Sequence, residues 1–521
     1  MTFAIDETIP GFNVNTSADN EFVLQEVLNQ VWPSAFFANG DLKPQMNTDL
    51  LTSAKVTSTN PETIVYQINP KAVWSDGTPI NADDFIYNWQ AQSGNSAYTD
   101  VGGKPYDDVS TTGYANIKSV TGSNNGDTVT VVFSTPFGDW QSLFGNIVPA
   151  HVAKTVGWNT GFNDYTKVIS GGPFVISNYV KDQTVTETAN PKWWGKKPVL
   201  DSLIFRILSD DSAGPPGMQN KEIQIFNPSA ASLATKQALA QVPGITSQAP
   251  AGLEFEHMDF SQTDPYLAKV QVRQALAYAI DRQDLINRTV GQLSSTIKPI
   301  GDRMFMPTQP QYVDNGTAYE KPDLAKAKSL MQAAGMKLGT DGYFQPTSGP
   351  QAGKDLTFTL STTSGQALRQ SEEEVVQTDL QKLGVKVTIQ NYTASQLFGT
   401  ILPKGEYQLA IWAWVDTIFP SGNQPLYCSY TNSQACGSNY DHYANPQVDN
   451  LLNQAVATVD PTQATNLYNQ ADKILWTDMV SLPFFQRPSQ IAWVTNLANV
   501  VINTSNQGYT WNAQEWGYKA S

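Results

Sequence analysis

The chain has 521 residues, too many for one hydrophobic core, and the usual span of about 100–200 residues per domain sets the expectation at two to four domains. Its 32 basic against 47 acidic side chains leave a formal charge of −15 and a sequence pI near 4.6, which argues against a phosphate backbone or an anionic membrane surface as partner. No apolar run of about 18 residues is present to span a bilayer, and Met1 is not followed by a basic and then apolar leader, so the protein is either cytosolic or exported by a signal outside this sequence.

The segment "VWSDGTPINADDFIYNW" (73–89) predicts a strand, a turn at Asp76–Gly77 and then a helix. Asn81 is placed to cap that helix, Asp83 and Asp84 to oppose its positive N-terminal dipole, and Phe85 and Trp89 to share one face. The acids need not be catalytic. "DTVTVVFSTPF" (127–137) alternates with Val129, Val131 and Phe133 on one side, the period of a half-buried strand. "KVQVRQALAYAIDRQDLINRTVG" (269–291) carries Val272, Ala275, Leu276, Ala279 and Ile280 as the apolar stripe of one amphipathic helix.

From residue 355 the pattern reads strand, helix, strand, with Gly384 ending the helix in a left-handed cap; this is a βαβ unit and hence a parallel sheet. A further strand follows at 406–416. The helix at 461–479 is expected to bury Leu467, Tyr468, Ala471, Ile474 and Leu475. Between them Cys428 and Cys436, separated by seven small or polar residues, read as a local disulfide in an oxidising compartment, two free thiols being the alternative. A zinc site there would lack ligands, since only His442 is close.

Catalytic chemistry is thin. His151, His257 and His442 are scattered, without metalloprotease, hydrolase, phosphate-loop or dinucleotide signatures, and each reads as a surface or packing residue. "STIK" (295–298) matches a serine acyl-enzyme pattern of two fixed letters with none of its companion motifs, so an enzyme is not expected.

The 73–89 segment resembles a signature of the large solute-binding proteins of ABC importers for dipeptides, oligopeptides and nickel. Further resemblances follow in the same order: "SGGPFVISNYV" (170–180), "TANPKWWGKKPVLDSLIFRILSDDSA" (188–213), "KVQVRQALAYAIDRQDLI" (269–286), "LQKLGVKVTI" (380–389), "GSNYDHYANPQVDNLL" (437–452) and "MVSLPFF" (479–485). The likeness covers nearly the whole chain.

It implies an α/β, two-lobed periplasmic-binding-protein fold with an extra inserted subdomain. Lobe I would combine 1–41, 168–253 and 485–521, the subdomain would be 42–167, and lobe II 254–484, with strands at 253–260 and 481–487 crossing between lobes. The implied protein is an extracytoplasmic, non-enzymatic monomer, lipid-anchored, that closes on a short peptide and hands it to a membrane permease and its ATPase subunits, without cofactor or nucleic acid. Another solute (an oligosaccharide or chelated nickel) and a regulatory surface lipoprotein remain alternatives.

Carried over residue by residue, the family's ammonium anchor, an aspartate four residues before a proline after a Trp-rich strand, falls on Asp416 and Pro420 in "WAWVDTIFP"; a strand-end cap is the alternative role. The resemblance offers Arg369 for the ligand's carboxylate and Asn20 and Glu21 for a loop approaching it from the first lobe, or a helix cap. Trp412, Trp414 and Phe485 are the expected pocket walls.

Overall fold

The computed structural model describes residues 1–229, 231–393, 396–430, 436 and 438–519, the side chain of residue 367 apart. The chain divides into two units, Met1–Pro250 with Ser489–Ser521, and Ala251–Pro488.

In the first unit the alternation at 127–137 becomes the strand Thr128–Phe133, with Val129, Val131 and Phe133 buried. It lies in a four-stranded antiparallel sheet between Glu62–Ile68 and Ile117–Ser123, with Leu51–Thr59 beyond. These strands fall within 42–167, and the division into two units keeps that stretch with the first. The turn before the helix Ala82–Gln92 needs a positive φ only at Gly77, at 93°. Asn81 caps as expected, its Oδ1 accepting from Asp83 N at 2.8 Å. Asp84 closes the capping box on Asn81 N, and also accepts from Trp74 Nε1 and Ala150 N, so one acid ties turn, helix and a distant segment together. The second sheet of this unit has seven strands, in the order Ile245–Gln248, Ile491–Val494, Ile225–Phe226, Thr2–Ile5, Ser202–Ile207, Thr184–Ala189 and Phe174–Val180.

The second unit is built on a five-stranded sheet ordered Lys386–Ile389, Thr357–Ser361, Leu409–Val415, Ala251–Phe260 and Ser481–Pro488. The expected βαβ unit is present: Thr357–Ser361 and Lys386–Ile389 pair in parallel across the helix Ala367–Leu383, which Gly384 ends at φ 99°. The strands Ala251–Phe260 and Ser481–Pro488 pair with each other, and the chain passes between units at Pro250–Ala251 and Pro488–Ser489.

Two helices differ from the sequence expectation. The single helix read over 269–291 is two, Val270–Ala279 and Arg282–Arg288, because Ile280 is extended and the Asp281 side chain caps the second through Gln283 N and Asp284 N. The helix Pro461–Asp478 buries Asp472 and Trp476 in place of Leu467 and Ile474. A buried charge accounts for the rotated stripe. Arg303, fully buried, pairs with Asp472 at 3.2 Å, lies 4.3 Å above the Trp476 ring and donates to Ser481 Oγ and Ser481 O. Asn315 Nδ2 serves the other oxygen of Asp472 at 2.8 Å.

Candidate functional site

The strand Leu409–Val415 alternates, so Trp412, Trp414 and the next residue, Asp416, share a face. Register fixes their neighbours: Trp412 stands opposite His257 and Trp414 opposite Phe255. Trp412 is fully buried among Leu397, Leu402, Tyr407 and Ala410. Trp414 is half-buried, its ring nearly parallel to His257 at 5.9 Å and to Tyr440 at 5.8 Å. Burial pushes the His257 imidazole down to about 3, so it is neutral and acts in packing. Its Nε2 lies 3.2 Å from Asp259, whose carboxyl is raised by burial and hydrogen-bonded to Asp441, which also accepts from Tyr407 Oη at 3.1 Å.

Tyr440 reaches Trp414 from a loop that is pinned chemically. Cys428 and Cys436 form the expected disulfide, with Cα atoms 5.7 Å apart, and Asn439 Nδ2 donates to Cys428 O and Tyr443 O. Residues 431–435, inside the disulfide loop, lie outside the described residues.

Asp416 ends this strand. Its N–H still donates to Leu253 O at 2.8 Å, and the side chain is 5% exposed. Oδ1 accepts from Thr417 N at 2.8 Å and from Asn423 Nδ2 at 3.4 Å, while Oδ2 has no hydrogen-bond partner among the described residues. Desolvation outweighs those two donors and pushes the carboxyl up to about 8. A buried acid with one oxygen left over is chemically an acceptor for a cation or a donor that the chain itself does not supply.

The other expected site residues lie elsewhere. Phe485 is fully buried and opposite Glu256, on the reverse side of the sheet from Trp414, because the pleat sends neighbouring residues to opposite faces. Arg369 is on that reverse side as well, its Nε 3.3 Å from Glu256 Oε1 and its Nη1 donating to Thr363 Oγ1 at 3.2 Å. Arg487 adds a second cation there, 3.0 Å from Glu254. Asn20 and Glu21 are exposed in the first unit, and Glu21 occupies the N-cap position of Phe22–Leu28 with no side-chain cap bond. Sequence reading missed Tyr440 and Asn423. The signal for Asn423 was its place after Pro420, which opens the short 3-10 turn Pro420–Asn423 and returns Asn423 to Asp416.

A pocket of about 320 Å³ in the same unit is lined by Thr263, Asp264, Ser361, Tyr392, Tyr407 and Gln408. Its Asp264 is already satisfied by Gln408 Nε2 and by Tyr266 N and Leu267 N, so it offers less to a ligand than Asp416. Among the described residues no group of three or more His, Cys, Asp or Glu side chains is arranged to hold a metal ion, and no helix is long and apolar enough to cross a membrane.

Residues 45–435 match the sequence model of the bacterial extracellular solute-binding proteins, family 5 Middle. Over 508 residues the chain is 30% identical to the oligopeptide-binding protein OppA of Mycobacterium tuberculosis H37Rv, an alignment covering 96% of this chain and 82% of that one. The periplasmic EDTA-binding protein EppA is similar in structure, with a TM-score of 0.91 at 28% identity over 100% of this chain and 96% of that one. The oligopeptide-binding protein AppA of Bacillus subtilis, solved with a nonapeptide, shares the fold with a TM-score of 0.81 at 20% identity, over 100% and 99% of the two chains.

Proposed function

The chain belongs to the bacterial extracellular solute-binding proteins, family 5, and from that membership we propose that it captures short peptides outside the cytoplasm and delivers them to an ABC importer. The observation that carries the peptide reading is Asp416: a buried carboxyl whose Oδ2 lacks a partner among the described residues, next to the half-buried Trp414. A peptide's N-terminal ammonium supplies the missing cation, and a charge-assisted bond out of water is strong. A polycarboxylate of the kind named for the EDTA-binding relative brings no cation that would hold Asp416 ionised, and it is repelled once Asp416 does ionise. Arg369, offered by the resemblance for the ligand's carboxylate, lies on the reverse side of the sheet and is already paired with Glu256, so in this reading the amine end dominates recognition. In this reading Asn20 and Glu21 approach the ligand from the first unit. The protein works as a lipid-anchored monomer, and the two units close on the peptide before it passes to the permease and its ATPase subunits. Small-angle scattering at saturating peptide is expected to show a smaller radius of gyration, and an unchanged radius counts against closure.

Capture depends on pH with a definite sign. Asp416 is protonated in the empty protein below about pH 8, and an ammonium partner needs it charged, so binding expels a proton. Affinity is expected to rise about tenfold per pH unit toward pH 8 and to fall above it as the peptide amine, with a pKa of about 8, loses its own charge. Calorimetry in two buffers of different ionisation enthalpy reads the released proton directly. Mass spectrometry of what the protein retains from a pool of free-amine peptides, N-acetylated peptides and polycarboxylates tests the ligand class. Retention of polycarboxylates alone overturns the proposal.

A further inference from the structure

The loop after Asp416 is organised around that one carboxyl. Thr417 Oγ1 accepts from Phe419 N at 3.0 Å and donates to Phe419 O at 2.8 Å, which tightens the chain immediately after the strand. Pro420 then opens the 3-10 turn, and its last residue, Asn423, comes back to Asp416 while 2% exposed. Asn423 Nδ2 donates both to Met304 O and to Asp416 Oδ1, each at 3.4 Å. The Met304 carbonyl belongs to a backbone held by the buried Asp302, which accepts from Met304 N and Phe305 N.

We propose that Asn423 is a positioning residue for ligand recognition: anchored on Met304 O, its amide engages Oδ1 of Asp416 so that Oδ2 is the oxygen presented to the ammonium of a peptide. This rests on the reading of Asp416 as the amine anchor. The physical case is one of choice between two equivalent oxygens. A carboxyl free to rotate offers either oxygen along several directions, whereas one bound by Thr417 N and Asn423 Nδ2 through the same oxygen has a single orientation, and a ligand bond made to a preorganised group loses less entropy. Asn also supplies donors without charge, so it steadies the carboxylate form without neutralising it, as Lys or Arg at this place would. The spacing of Asp416, Pro420 and Asn423 thereby acquires a mechanical meaning: proline sets the turn, and the turn aims the amide.

The test uses the whole chain with Asn423→Leu, close in volume and unable to donate, and Asn423→Asp, which keeps the shape and adds an acid. Two quantities are read in each: the titration midpoint of the Asp416 carboxyl by carbon-13 NMR, and retention from an equimolar pool of unmodified and N-acetylated tripeptides. Both variants are expected to move the midpoint upward, because the charged carboxyl loses a donor or gains a like-charged neighbour. The preference for free amines is expected to fall by about tenfold or more, the scale of a hydrogen bond to a charged group. Either variant suffices if the other fails to fold. An unchanged midpoint in a folded variant overturns the proposal, as does an unchanged preference for free amines. If the wild-type protein itself shows no such preference while the midpoints still move, the amine-anchor reading fails and the role of Asn423 toward a ligand fails with it. A purely structural role for Asn423 would change thermal stability and leave amine preference alone, and that result also overturns the proposal.

Discussion

Asp416→Asn is expected to weaken binding of a free-amine peptide by about 30-fold to several-thousand-fold, the roughly 2–5 kcal/mol lost when one partner of a buried charged pair is removed. The substitution preserves the shape of the side chain and its bonds to Thr417 N and Asn423 Nδ2 through Oδ1. What disappears is the negative charge, so the peptide's ammonium is left desolvated without compensation. N-acetylating the peptide should produce a comparable loss on the wild-type protein and almost none on the variant, and titration calorimetry on the four combinations measures the coupling. Independent losses that simply add would show that amine and carboxyl do not meet. The same variant carries an opposite signature in stability. Because the folded carboxyl is raised to about 8 from an ordinary value of 3.8, its contribution is fully present below about pH 4 and declines as pH rises to 8. The empty Asn variant should therefore melt above wild type near pH 8, with the difference shrinking toward pH 4.

The largest expected effect on folding lies at the other buried charge. Asp472→Asn is expected to lower the unfolding free energy by about 3–5 kcal/mol, because Arg303 stays fully buried without its counter-ion. The neighbouring acid does not rescue it: burial, the largest cause, holds Asp302 above the ordinary carboxylate range even without Asp472, and its oxygens already serve Met304 N, Phe305 N and Val313 N. Replacing both partners, Arg303→Met with Asp472→Leu, removes the uncompensated charge and should recover most of the loss. Urea unfolding of single and double variants separates these outcomes, and equal losses in single and double would show that packing, not charge, is at stake. The prediction reaches function as well, since Met304 follows Arg303 and its carbonyl steadies Asn423.

Elements with a strong period were legible in the sequence. The strand at 127–137, the parallel βαβ unit closed by Gly384 and the Asn81 cap were read from alternation, stripe and turn chemistry, each a local property. Reading stopped where a distant partner decided. Nothing between 269 and 291 announces that Asp281 prefers capping a new helix to continuing the old one. Nothing between 461 and 479 announces that Asp472 turns inward, because its partner Arg303 is remote in sequence. The site divides in the same way. Asp416 and Trp414, put forward by resemblance, share a face by the pleat, whereas Phe485 sits on the reverse side and Trp412 is sealed into the core, since composition alone does not distinguish a wall from a foundation. Asn423 was passed over because, although Pro420 announces a turn, an asparagine acquires meaning only from what that turn brings it to.

The sheet of the first unit has a consequence in time. The strand Ile491–Val494 lies between Ile245–Gln248 and Ile225–Phe226, so it is an interior strand of a sheet whose other members all precede residue 250. Threaded through a membrane from its N-terminus, the chain exposes Ala251–Pro488 as an unbroken stretch able to complete its own core, while the earlier 250 residues wait with an open seam. Contacts spanning over 240 residues close slowly. The part emerging first is thus the last to finish, and it is the half on which a holding chaperone has most to act.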